Sequence, residues 1–228
     1  MKEAVFLDFD GVIVDSIKEC YKISLETFFG FNNLKFINSE YELLFNKNRY
    51  LVRPVYQYMV LHQVLLKFLN NEILEEEIKK YFYKLDKKIN TYTKDHFEHS
   101  FFNKRKFHQQ NLVEWLKMHN ITKFGETLKN KKLDHYYIIT TKDKESVLLL
   151  CDFFKINIKN IFGKELYNLK GSKGEIMTNF IDNSDYDSAI FIDDAIEHLN
   201  GVKDKRIKVY FADWAYDKKP NKFNIYKF

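Results

Sequence analysis

Four short apolar runs recur along the chain, and three of them stop at a polar or acidic residue. Residues 3–8 run from Glu3 through Ala4, Val5, Phe6 and Leu7 to Asp8. Tyr136, Tyr137, Ile138 and Ile139 are followed by Thr140 and Thr141, and Ala189, Ile190, Phe191 and Ile192 by Asp193 and Asp194. The fourth run, residues 207–211, ends at Ala212 and Asp213. Continuous apolar runs of this length suit strands buried on both faces. Between the runs lie helical patterns, such as residues 144–154, with Val147, Leu148, Cys151 and Phe154 on one side. Strands alternating with helices predict a parallel sheet wound with helices, and ligands of such sheets bind beyond the carboxyl ends of the strands. The residues that close the runs therefore point to one crevice.

The span from residue 8 to residue 136 is far longer than one crossover needs. Within it, residues 55–69 and 74–85 carry apolar positions at helical spacing, the second with Glu75–Lys79 and Glu76–Lys80 one turn apart. The expected organisation is a core made of residues 1–16 and 123–228, interrupted by a helical domain of residues 17–122.

Composition narrows the function. A hydrophobic content of 45% suffices for a sizeable core. No uncharged apolar run approaches a membrane helix, and acids stand where a secretory signal needs an apolar stretch, so a cytoplasmic chain is expected, with no membrane partner. Cys20 and Cys151 have no metal-site spacing and are too few for a disulfide framework. The net charge of +5 does not by itself indicate nucleic acid. Its lysines are scattered and its only arginines are Arg49, Arg53, Arg105 and Arg206. No nucleic-acid partner is expected; a small anionic substrate explains the charge equally well.

The densest chemistry lies at the first run, where Asp8, Phe9, Asp10 and Gly11 lead through Val12, Ile13 and Val14 to Asp15 and Ser16. Residues two apart on a strand face the same side, so Asp8 and Asp10 emerge together. Paired carboxylates repel, and Mg²⁺, a hard oxygen-seeking cation, relieves the repulsion. Gly11 allows close approach of backbone to a ligand. This motif resembles the first motif of the haloacid dehalogenase-like hydrolase superfamily, in its phosphoglycolate phosphatase and β-phosphoglucomutase branch. Thr140 at the end of the second run, Lys173 before a helix and Asp193-Asp194 after the third run resemble its remaining motifs, in order.

The resemblance implies a Rossmann-like three-layer α/β core with an inserted helical cap of the C1 type. It implies that Asp8 is a nucleophile forming an aspartyl-phosphate and that Asp10 is the acid–base group. Thr140, the Thr141 N–H and Lys173 would hold the phosphoryl oxygens, with Gly11 beside the substrate. Asp8, Asp10, Asp193 and Asp194 would hold Mg²⁺, either or both of the last pair touching it directly. The expected activity is hydrolysis of a small phosphate monoester, such as a sugar phosphate, a glycolate-like acid or an intermediate of surface-glycan assembly. A phosphomutase and a non-catalytic phosphate-binding protein are the alternatives; a dehalogenase would lack Asp10. A monomer or homodimer is expected at this size.

The chain departs from the family at His198, where many relatives carry a further acid, and at Gly174, where many have proline. His198 reads as a rim residue, and Gly174 as a local loosening of the backbone. Asp15 and Ser16 read as a helix cap. Asp95, His96, Glu98 and His99 read as an exposed helix, and residues 213–216 as a packing loop. In the insertion, Arg49 and Arg53 lie about one helical turn apart and are candidates for an anionic group of the substrate.

Overall fold

The computed structural model describes residues 2–30, 39–158, 160–216 and 222–228. The chain forms two compact units, one of Met1–Ser16 with Asn120–Phe228 and the other of Ile17–His119. Among the described residues no helix is long and apolar enough to cross a membrane.

The second unit is helical. Its elements are α1 (Ile17–Phe29), α2 (Ser39–Asn48), α3 (Gln57–Leu69), α4 (Ile78–Asp86), α5 (Thr91–Gln109) and α6 (Leu112–Leu116). α3 is the most apolar, and eight of its side chains, Gln57 to Leu65 apart from Gln63, are buried against the other helices. Phe45 and Tyr58 stack at 5.8 Å, and Tyr58 and Phe101 at 5.7 Å, joining α2, α3 and α5. The predicted helix over 74–85 begins later than expected. Glu75–Glu77 form a separate 3-10 turn, in which Glu75 pairs with Lys47.

Two polar groups are sealed into this core. Arg105 of α5 donates from Nε and Nη2 to the two carboxylate oxygens of Glu19 on α1, at 2.6 and 3.0 Å. A forked pair of this kind satisfies both charges where water cannot. His62 is fully buried, with Nδ1 2.6 Å from the Tyr41 hydroxyl and Nε2 3.0 Å from the Ser24 hydroxyl. Burial lowers its pKa from the usual 6.5 to about 3. A depressed folded pKa contributes stability that is present above pH 6.5 and lost as pH falls toward 3. Between pH 6.5 and 5 the wild type should therefore lose stability with a slope approaching about 1.4 kcal/mol per pH unit. His62→Gln, though less stable, should give a flatter profile of urea midpoints, read by Trp115 fluorescence in a Trp214→Phe background. Parallel profiles would show that His62 does not carry the dependence.

The first unit is the sheet. Its strands are β1 (Glu3–Leu7), the two-residue β2 (Val14–Asp15) and β3 (Asn120–Ile121), β4 (Tyr136–Ile139), β5 (Ile161–Phe162), β6 (Ser188–Asp193), β7 (Ile207–Phe211) and β8 (Asn224–Ile225). Six of them form a parallel sheet in the order β5-β4-β1-β6-β7-β8. Helices α7 (Lys123–Leu128), α8 (Lys144–Phe154), α9 (Lys164–Lys170), α10 (Lys173–Asp182) and α11 (Ile196–Gly201) complete the unit. This is the α/β, parallel-sheet class that the alternation predicts. β1 is central, which explains its unbroken apolar run: Ala4, Val5, Phe6 and Leu7 are all buried.

β5 and β8 were not legible as strands because each is only two residues long. β2 and β3 pair antiparallel through Val14–Ile121 and Asp15–Asn120, bringing together the segments through which the chain leaves and re-enters this unit. Gly125 is required beside them, since a Cβ there would lie 2.3 Å from the Ile13 carbonyl oxygen.

Candidate active site

The sheet register builds the site. Leu7 pairs with Ile138 on one side and Ile192 on the other, so the next residues, Asp8, Ile139-Thr140 and Asp193, leave three adjacent strands at the same end. Such a crevice between central parallel strands is where ligands of open α/β sheets bind.

Lys173 stands at the first position of α10, whose N-cap Ser172 accepts a hydrogen bond from the Glu175 N–H. From there its ammonium lies 2.8 Å from Asp8 Oδ1 and 2.7 Å from Asp193 Oδ2, and all three residues are buried. Burial raises the Asp8 pKa, and the Asp193 charge raises it further, against the opposing pull of Lys173. Burial acts to raise the Asp193 carboxyl as well, yet Lys173 and His198 hold it below the usual carboxylate range. Burial likewise works against the charge of Lys173, but the two carboxylates keep its pKa above the ordinary lysine value. The result is a carboxyl group at the end of β1 with one ammonium fixed against it.

Asp193 is fully engaged by the protein. Its Oδ1 accepts from the Ala195 N–H at 2.7 Å, and its Oδ2 faces both Lys173 and His198 Nδ1, the latter at 3.0 Å. His198 is partly buried, its side chain 14% exposed and packed on the acid. Donor atoms of Asp8, Asp193 and His198 all lie within 4.8 Å of one another, the one such cluster found among the described residues. Asp194 is buried as well, and its Oδ2 accepts from the Tyr216 N–H at 3.2 Å.

Asp10 sits on the turn after β1, where Lys142 Nζ lies 3.2 and 3.5 Å from its two carboxylate oxygens. Gly11 beside it has φ of +85°, and a Cβ there would come within 3.0 Å of the Tyr216 ring. Its N–H donates to the Val14 carbonyl at 2.7 Å, so its contribution is conformation and space. The Thr140 hydroxyl accepts from the Lys142 N–H at 3.1 Å, and Thr141 is half-buried on the same turn.

The 213–216 loop packs as expected and also makes specific bonds. The Tyr216 hydroxyl donates to Asp15 Oδ1 at 2.8 Å and accepts from the Ser16 N–H at 2.9 Å, while Trp214 Nε1 donates to the Val12 carbonyl. Ser16 Oγ lies 3.4 Å from Lys142 Nζ. Gly174 does more than loosen the chain: a Cβ there would lie 2.9 Å from the Gly201 carbonyl, so glycine lets α10 approach the end of α11.

Arg49 and Arg53 belong to the helical unit. Arg49 Nη1 donates to the Val52 carbonyl, and Arg53 Nη1 to the carbonyls of Tyr50 and Val52, so both guanidinium groups bind the backbone of the turn before Pro54. Asp95, His96 and His99 are exposed on α5.

Three residues of this arrangement were given no part in the chemistry by the sequence: Lys142, His198 and Tyr216. The first was visible only as the residue after Thr140-Thr141, and the second as the departure four residues after Asp194.

No family model and no curated protein matches the sequence. Solved structures do match. A predicted phosphoglycolate phosphatase from Haemophilus somnus superposes with a TM-score of 0.58 at 17% identity, covering 94% of this chain and 87% of that one. A haloacid dehalogenase-like hydrolase from Bacteroides fragilis gives a TM-score of 0.58 at 12% identity, with 95% and 90% covered. The HAD-hydrolase YfnB from Bacillus subtilis, solved bound to magnesium, gives 0.53 at 15% identity, with 96% and 90% covered. Across nearly its whole length, the chain has the fold of the haloacid dehalogenase-like hydrolases.

Proposed function

We propose that the chain is a Mg²⁺-dependent phosphatase that hydrolyses a small phosphate monoester through an aspartyl-phosphate on Asp8. The observation that carries this reading is the Asp8 carboxylate at the end of the central strand, with the Lys173 ammonium 2.8 Å away and Asp10 two residues on. The solved phosphatases and hydrolases of the same fold support it.

In this reading Asp8 attacks phosphorus while Asp10 gives a proton to the departing oxygen. Asp10 then takes a proton from the water that opens the aspartyl-phosphate. Lys173, the Thr140 hydroxyl and the Thr141 N–H hold the phosphoryl oxygens as charge moves among them. Asp8, the Asp10 carbonyl and one of Asp193 and Asp194 supply the oxygen donors that suit Mg²⁺. Asp193, which faces Ala195, Lys173 and His198, is also assigned to anchoring Lys173, and either Asp193 or Asp194 makes the direct contact. When bound, the ion offsets the negative charge that the phosphate brings beside these acids. The helical unit, with Arg49 and Arg53 as candidates for an anionic group, is assigned the choice of substrate.

The test is phosphate release from a panel of sugar phosphates, phosphorylated small acids and p-nitrophenyl phosphate, with Mg²⁺ and with EDTA. Release that requires Mg²⁺ is expected, with at least one substrate well above the rest. Absence of release across the panel, with phosphate transfer from a sugar bisphosphate instead, would replace hydrolysis by a mutase reaction.

A further inference from the structure

We propose that Lys142 is a positioning residue for Asp10, holding it for proton delivery to the leaving oxygen; the inference rests on the hydrolase reading above. Lys142 is only 3% exposed, and a buried ammonium is stable where an anion faces it. Lys142 Nζ faces the carboxyl group of Asp10, with both oxygens within 3.5 Å, and Ser16 Oγ lies 3.4 Å from it.

The backbone of Lys142 is fixed from both sides. Its N–H donates to Thr140 Oγ1, and its carbonyl accepts from the Lys164 N–H at 3.0 Å, where β5 passes into α9. The ammonium is thus carried on a rigid turn. Asp10 needs such a partner more than Asp8 does. It lies beyond the end of β1, and its side chain is 21% exposed against 10% for Asp8. A carboxyl group in that setting can rotate away from the departing oxygen, and small misplacements of a catalytic group cost large factors in rate.

The two lysines divide the work. Lys173 faces Asp8 and Asp193, on the side where the new O–P bond forms. Lys142 faces Asp10. In the first step the Asp8 oxygen bonds to phosphorus, the ester O–P bond breaks, and the Asp10 proton goes to the departing oxygen, which leaves as an alcohol. The proton leaves Asp10 as a carboxylate, with the Lys142 ammonium beside it. In the second step that carboxylate takes a proton from water, the water oxygen bonds to phosphorus, and the Asp8–phosphorus bond breaks to give inorganic phosphate. Lys142 keeps its protons throughout.

A leaving group that departs without a proton separates this role from phosphate binding or simple folding. The experiment compares kcat/KM for the best alkyl phosphate of the panel and for p-nitrophenyl phosphate in wild type, Lys142→Met and Lys142→Arg. In Lys142→Met the alkyl-to-aryl ratio is expected to fall about 100-fold, the scale of one acid–base contribution. Lys142→Arg, which keeps the cation, should recover part of it. Equal losses on both substrates, or no loss on either, would overturn the assignment. Circular dichroism checks folding, and if Lys142→Met does not fold, Lys142→Gln takes its place in the same comparison. A wild type inactive on both substrates would overturn the hydrolase reading itself, whereas an active wild type with an unmoved ratio overturns only the role of Lys142.

Discussion

Asp8→Asn should reduce phosphate release by about four orders of magnitude or more, because it removes the proposed nucleophile and leaves the rest of the site in place. Asparagine is nearly isosteric with aspartate, and Lys173 keeps Asp193 as its carboxylate partner at 2.7 Å. Burial and the Asp193 charge both disfavour the ionised form of Asp8 in the folded chain, so a neutral amide there relieves a repulsion. The variant should therefore fold at least as well as the wild type. The measurements are phosphate release with the best substrate and trapping of radiolabelled phosphate on the protein after an acid quench. A variant retaining a substantial fraction of the activity, or one that still becomes labelled, would remove Asp8 from the nucleophile role.

Lys173→Met should have the second large effect, on both stability and activity. It leaves Asp8 and Asp193 buried with no ammonium between them, and removing one partner of a buried ion pair costs about 3–5 kcal/mol. Activity should fall with it, since the proposed mechanism assigns the same ammonium to the phosphoryl oxygens. The sign of the pH dependence is informative. In the wild type Asp193 is held below its ordinary pKa, so its contribution to stability is present above the unfolded carboxylate pKa and is lost as pH falls below it. Without Lys173 the two acids are driven to share a proton, which raises the folded pKa of the pair. Stability then increases as pH falls from neutrality. The deficit of Lys173→Met relative to wild type should therefore be smaller at pH 5 than at pH 7.5, by urea unfolding in EDTA. A constant deficit would show that the loss is one of packing.

The α/β class was legible because the central strands are buried on both faces and their apolar runs are uninterrupted. Asp8, Asp10, Thr140, Lys173, Asp193 and Asp194 could be singled out because their order and setting resemble the family's motifs, and strand register places Asp8, Thr140 and Asp193 at one end of the sheet. The contacts of Lys142 and His198 were hidden for a physical reason. A lysine in a lysine-rich chain has no signature until its burial is known, and His198 acquires meaning only through the 3.0 Å approach to Asp193. Contacts such as Arg105 with Glu19 and Tyr216 with Asp15 join residues far apart in sequence and leave no periodic trace. The two-residue strands are too short for any alternation to register.

The pairing of β2 with β3 has a consequence for how such a chain can change. The points of departure and return are neighbours across an antiparallel ladder, Asp15 opposite Asn120. Topologically, the whole helical unit is the loop of a hairpin. Closing a loop becomes more costly only slowly as it lengthens, so the sheet unit is nearly indifferent to the size of what that hairpin carries. An ancestral chain could have lengthened, replaced or redesigned its helices there without disturbing a single strand register. The same junction offers a splice point at which helical modules from different chains can be exchanged on one chemical core.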